Sequence, residues 1–96
     1  MSDSFDVVVA GAGHNSLITA AYLAKAGLRV LVLEGRELVG GNTVTEELTL
    51  PGFKHDSCSS AHALFQSSPT MRNDELGLAD YGLRYLYPDP VVTMPF

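Results

Sequence analysis

The sequence predicts an α/β fold built on one βαβ unit with parallel strands. Three observations carry this: largely apolar, β-branched runs at residues 5–10 and 28–33, a glycine-rich turn directly after the first run, and helix formers between them. A β-branched run that ends at glycine has the pattern of a strand buried on both faces of a parallel sheet. Strand, helix and strand in about 30 residues is the size of one βαβ unit, whose crossover is expected to be right-handed.

The first strand is Phe5 to Ala10, where three consecutive valines leave no polar alternation. From about His14 to Ala26 the residues favour helix, and Ser16, Ala20 and Ala24 recur every four positions, predicting a stripe of small side chains that lies close on the sheet. Gly27 stands where a left-handed C-terminal cap belongs, and Leu28 to Leu33 follows as the second buried strand. Residues 34–60 are rich in Gly, Thr, Asn, Ser and Pro without a helical period, and a loop of that length usually has a function. Within it Asn42 to Leu48 is a candidate short strand. Ala61 to Gln66 suggests a short helix, and Ser68-Pro69 an N-cap and first position of another running toward Gly82. Leu83 to Tyr87 alternates as a strand, Pro88-Asp89-Pro90 turns the chain, and Val91 to Phe96 starts another extended run.

Composition narrows the function. Apolar residues at 46% and charged residues at 18% are globular values. A net charge of -5, with no basic run, argues against nucleic acid as a partner. One cysteine, Cys58, rules out an internal disulfide or a dithiol redox pair. Met1 to Asp6 holds two acids and no base, unlike a secretory or transit signal, and a cytoplasmic location is the expectation. Polar residues and glycines interrupt the uncharged stretch Val7 to Ala24, which disfavours a membrane span.

The motif with the most chemistry is Gly11-Ala12-Gly13-His14-Asn15-Ser16, set between the first strand and its helix. Gly11 permits the tight turn, Gly13 keeps side chains away from a pyrophosphate, and the helix aims free N–H groups at that anion. Ser16 stands where Gly or Ala is usual, one oxygen larger than Ala. Glu34 closes the second strand about 20 residues on, at the offset of an acid that accepts hydrogen bonds from an adenosine ribose. A carboxylate there repels a 2′-phosphate, which disfavours NADP. Arg36 follows two residues later and can set its guanidinium near the ribose or adenine; the Gly40-Gly41 doublet then lets backbone approach an extended ligand, which favours FAD over NAD.

With these residues in view, the chain resembles the N-terminal part of phytoene-dehydrogenase-like FAD oxidoreductases, whose Rossmann-like FAD fold is shared with the amine oxidases. The resemblance rests on Val9 to Leu17, Gly40-Gly41, Thr45-Glu46-Glu47 and Pro51-Gly52-Phe53-Lys54, and continues through Gly82-Leu83-Arg84 to Pro95. It implies FAD as cofactor, held by Gly11, Gly13, Glu34, Arg36, Gly40 and Gly41, with His14, Asn15 and Asn42 as neighbours. It also implies residues 1–60 as the N-terminal half of an FAD-binding domain and 61–96 as the start of a substrate-domain sheet.

Family members are several times longer, so the fold is expected to be incomplete alone and to need a partner polypeptide or a missing remainder. The expected function is oxidation or desaturation of a small, apolar organic substrate by hydride transfer to FAD. Alternatives are a non-catalytic assembly subunit completing a larger flavoprotein's FAD site, an amine-oxidase-type fragment and a simple NAD-binding module. No residue presents itself as a catalytic acid, base or nucleophile. His55, Asp56, Cys58 and His62 have loop spacing compatible with metal ligands, but local polar contacts account for them better and no metal is expected. His62 is a candidate to face the flavin or substrate cavity, and Cys58 reads as a small buried residue. Tyr81, Tyr85 and Tyr87 read as core or as lining of an apolar pocket.

Overall fold

The computed structural model describes residues 4–59 and 61–89. The chain opens with β1 (Val7–Ala10), α1 (His14–Lys25) and β2 (Val30–Leu33), and the two strands pair in parallel with Val7 beside Val30 and Ala10 beside Leu33. This is the predicted βαβ unit, shorter at each strand start. Before β1 the chain is tied down by its own polar groups. The Arg29 N–H donates to the Asp6 carboxylate at 2.7 Å, and the Arg29 guanidinium lies 5.3 Å from the Phe5 ring centre.

α1 ends as its sequence dictates. Gly27 adopts φ +97°, and the N–H groups of Ala26, Gly27 and Leu28 return to the carbonyls of Tyr22, Ala24 and Leu23. Lys25 in the last turn suits the negative end of the helix dipole, and its ammonium donates to the Glu75 carbonyl. Of the small-residue stripe, Ala20 is buried against the sheet at 7% exposure and Ser16 is half-buried, but Ala24 is exposed and faces a shallow cleft beside Leu76 and Leu78.

Burial of the strands on both faces is not observed. Val8 is 59% and Leu33 53% exposed, because the described sheet has two strands and α1 covers one face only. Ala12 and Ala20 are the buried apolar residues among those described, so the core lies between the glycine-rich turn and the helix.

The expected strand near Asn42 to Leu48 is Thr45–Glu46 (β3), and it pairs antiparallel with His55–Asp56 (β4), a partner not expected from the sequence. The connection uses Leu50-Pro51-Gly52-Phe53 as a turn: the Phe53 N–H meets the Leu50 carbonyl at 3.1 Å and Gly52 has φ +91°, as a proline-glycine turn requires. Two short helices follow, α2 (Ala63–Ser67) and α3 (Pro69–Arg72), with Ser68 and Pro69 at the expected start of α3. α3 stops ten residues before Gly82. Asp74 (φ +48°) and Gly77 (φ +63°) both take left-handed backbone, which a right-handed helix cannot continue through, and a separate 3₁₀ turn covers Leu78–Tyr81.

Residues 83–87, expected as a strand, have no strand partner among the described residues and remain irregular. The extended run expected at Val91 to Phe96 lies outside the described residues. Among the described residues no helix is long and apolar enough to cross a membrane.

Candidate functional site

The site is assembled from backbone first. β1 delivers the chain into Gly11, whose φ of +97° favours glycine and whose N–H donates to the Leu33 carbonyl at 2.6 Å, extending the ladder one residue. Ala12 is 1% exposed, and its two backbone polar groups are both used. Its N–H donates to Glu34 Oε1 at 2.8 Å, and its carbonyl accepts the Gly40 N–H at 2.6 Å. Glu34 Oε2 also accepts the Arg36 N–H at 3.0 Å. The Ala12 N–H, then that of Arg36, hold the Glu34 carboxyl below its ordinary value against the opposing effect of desolvation, so it is ionised at neutral pH.

Sequence reasoning gave Glu34 one task and missed this one: the carboxylate also fixes the glycine turn. The 22-residue separation hid the contact.

The glycine doublet belongs to the same place. Gly40 forms a parallel bridge with Gly13, and a Cβ on Gly41 would lie 3.1 Å from the Gly13 Cα. A Cβ on Gly40 would come within 2.3 Å of the Thr43 carbonyl oxygen. Gly13 is different. Its backbone is ordinary extended (φ −74°, ψ 172°), and a Cβ there would meet nothing within 4 Å. Gly40 and Gly41 are therefore required by the protein's own packing, whereas the open space at Gly13 is required by nothing in the described chain.

Gly13 is also the N-cap of α1, which has no side-chain cap and no acid in its first turn, a helix start whose dipole suits an external anion.

The remaining predicted residues surround this turn. His14 and Asn15 open α1 and are exposed; the Asn15 carbonyl accepts the Thr19 hydroxyl at 2.9 Å. Arg36 is exposed and adjoins Glu34 through its backbone. Asn42 is exposed just past the doublet. His14 and Asn42 border a cleft of about 850 Å³, walled mainly by apolar side chains such as Leu17, Ile18, Phe65 and Leu83. Its polar wall includes His62, whose Nδ1 lies 2.8 Å from the Tyr85 hydroxyl and whose Nε2 contacts Ser59 Oγ. Burial first, then Tyr87, pushes the Tyr85 phenol above its ordinary value.

The residues weighed as metal ligands are occupied separately. His55 Nε2 meets Thr49 Oγ1 at 2.9 Å and Asp56 accepts the Thr45 hydroxyl at 2.6 Å. Among the described residues no three His, Cys, Asp or Glu side chains gather for a metal. Cys58 is exposed rather than buried, because it lies in the irregular stretch after β4 at the cleft edge. Tyr85 is half-buried, while Tyr81 and Tyr87 are 87% and 78% exposed and form no core.

The profile of the NAD(P)-binding Rossmann-like domain family matches residues 9–76, from β1 through α3. The chain belongs to this family. Three relatives show where its Rossmann-like domain recurs. A limonene dehydrogenase subunit of Castellaniella defragrans is 45% identical over 89 residues, covering 93% of this chain and 16% of the relative. Pyridine nucleotide-disulfide oxidoreductase domain-containing protein 2 of Mus musculus is 40% identical over 95 residues, covering 99% of this chain and again 16% of the relative. The 15-cis-phytoene desaturase of Capsicum annuum is 36% identical over 81 residues, covering 78% of this chain and 13% of the relative. The chain thus spans about one sixth of the length of the first two. No solved structure matches it. The Rossmann-like domain here is accordingly a dinucleotide-binding unit of the kind found in proteins named as dehydrogenases, oxidoreductases and desaturases.

Proposed function

We propose that this chain grips the ADP half of FAD and forms the N-terminal, cofactor-holding part of a flavin-dependent oxidoreductase. The observation that carries the reading is the convergence of three separate sequence segments on one spot. Gly13, Glu34 and the Gly40-Gly41 doublet meet around Ala12, and at Gly13, unlike the doublet, the backbone is ordinary and a side chain would meet none of the protein's own atoms. A pyrophosphate set beside Gly13 would lie at the positive end of the α1 dipole, with His14 and Asn15 flanking it.

Glu34 keeps acceptor capacity on both oxygens after its two backbone bonds, enough for ribose hydroxyls. Arg36 stands beside it for the ribose or adenine, and Asn42 follows the doublet on the far side of the turn. FAD, once bound, supplies the hydride acceptor; the protein's part is to orient it and shield it.

In this reading residues 1–60 are half of the FAD-binding domain and 61–96 begin the substrate region. The substrate is a small, apolar organic molecule, and a further polypeptide or remainder completes both parts. The half-covered sheet and the greater length of the relatives support that last point.

The family's description favours one other reading, an NAD-binding module. Isothermal titration of the assembled protein with FAD, NAD and NADP separates the two. FAD is expected to bind most tightly and NADP least, because the Glu34 charge repels a 2′-phosphate; NAD binding more tightly than FAD overturns the proposal.

A further inference from the structure

The cleft beside the glycine turn contains an arrangement that cofactor gripping does not use. His62 has both ring nitrogens engaged, Nδ1 by the Tyr85 hydroxyl at 2.8 Å and Nε2 by Ser59 Oγ, and its ring stands edge-on to Tyr85 at 5.6 Å and 89°. With two polar partners and an aromatic wall the imidazole cannot turn without breaking a bond.

The chain of hydrogen bonds ends at the Ser59 hydroxyl. If protons run from Tyr85 toward Ser59, the serine has its O–H to offer; if they run the other way, it has a lone pair to offer. All three residues line the cleft, whose other walls are mainly apolar and whose volume of about 850 Å³ falls in the range of small-molecule sites.

The position matters as much as the chemistry. The cleft starts at His14 and Asn42, the neighbours of Gly13 and Gly41, whereas Glu34 lies at the end of β2. A dinucleotide with its ribose at Glu34 and its pyrophosphate at Gly13 would send its remaining half toward this cleft.

We propose that Ser59, His62 and Tyr85 form the polar recognition element of the cleft, and that it takes an apolar organic skeleton carrying a hydrogen-bonding oxygen. Ser59 addresses that oxygen with the capacity left on its hydroxyl, and His62 and Tyr85 are positioning residues that act through it. The inference rests on the dinucleotide reading for where the cleft lies relative to the cofactor. Two sources fit the same chemistry, the ring of the cofactor's redox half and the organic substrate.

The test uses the assembled protein and two arms. In the first, 2-naphthol and naphthalene are titrated as matched probes that differ by one hydroxyl. The wild type is expected to prefer 2-naphthol by about tenfold, the value of one neutral hydrogen bond. His62→Phe and Ser59→Ala are expected to bring the ratio to about one, while His62→Gln, which keeps a side-chain donor, retains part of it.

In the second arm the absorption spectrum and midpoint potential of the bound flavin are read in the same variants. A shift with flavin stoichiometry unchanged assigns the element to the cofactor ring. Loss of the naphthol preference with an unshifted flavin assigns it to the substrate. Folded variants that alter neither readout overturn the inference. Absence of FAD from the wild type sinks the function proposed above, and the naphthol arm then decides this inference alone.

Discussion

Replacing Gly13 and Gly40 one at a time by alanine separates ligand space from packing space. At Gly40 the new Cβ would sit 2.3 Å from the Thr43 carbonyl oxygen and 3.4 Å from its carbon, on backbone with φ +117°. A non-glycine residue held in so sparsely populated a region costs about 1–3 kcal/mol. Relief of the clash must also pull on the Gly40 N–H bond to Ala12, 2.6 Å long, and on the Thr43 N–H bond to the Gly40 carbonyl, 3.0 Å long. Weakening either adds about 1 kcal/mol, for a total of about 2–4 kcal/mol, a large share of a small domain's stability.

At Gly13 the backbone is relaxed and the space is open, so Gly13→Ala costs about 1 kcal/mol or less, mainly through a poorer N-cap residue. Its Cβ nevertheless stands where a pyrophosphate must approach, and each N–H bond to the phosphate that is lost weakens binding roughly 10- to 100-fold. Denaturant unfolding and flavin titration of both variants in the assembled protein give the comparison. Gly40→Ala is expected to lose stability, and Gly13→Ala to lose FAD while remaining nearly as stable as the wild type. Full FAD affinity in Gly13→Ala, or equal destabilisation by both, refutes the assignment.

Two further outcomes concern Glu34, and a third concerns Tyr22. Glu34→Ala is expected to weaken FAD binding and also to loosen the turn, since the carboxylate anchors Ala12 and Arg36; unchanged affinity counts against the ribose role. Because the folded-state Glu34 lies below its ordinary value of 4.5, its contribution to stability is complete above that pH and is lost as pH falls through the lower folded value. The difference in unfolding midpoint between wild type and Glu34→Gln is therefore expected to narrow below about pH 4.5, and a constant difference contradicts it. Tyr22→Phe removes bonds of 2.7 Å to Thr70 and 2.9 Å to Glu75, which tie α1 to α3 and the segment after it, and a loss of about 1–2 kcal/mol in denaturant unfolding is expected. Unaltered stability would mean that this tie contributes nothing.

What could be read in the sequence was what local rules determine. β1, the glycine turn, α1 and β2 follow from an apolar run, Gly11 at positive φ, helix formers and the Gly27 cap, each a property of neighbouring residues. The β3–β4 hairpin was only half legible, because strands of two residues carry almost no periodic signal and the pairing is held by partners such as Thr45 and Asp56. α3 was read too long because Asp74 and Gly77 leave the helical region, a choice compatible with several residue types at position 74.

Burial was overestimated for Val8, Leu33 and Cys58. An apolar sequence states what a residue can bury, while the cover comes from other elements. At the site, spacing placed Glu34 and the doublet near the turn. That Gly40 and Gly41 pack on Gly13, and that Tyr85 reaches His62, depends on loop paths that no spacing rule encodes.

The central claim is that this Rossmann-like unit holds FAD. The most direct measurement is the absorption spectrum of the protein assembled with the polypeptide proposed to complete it, together with the mass of the cofactor released from it. A yellow complex with flavin absorption, releasing about one FAD per chain where the chain expressed alone is colourless, is the expected result. A colourless complex, or one that releases NAD instead, contradicts it.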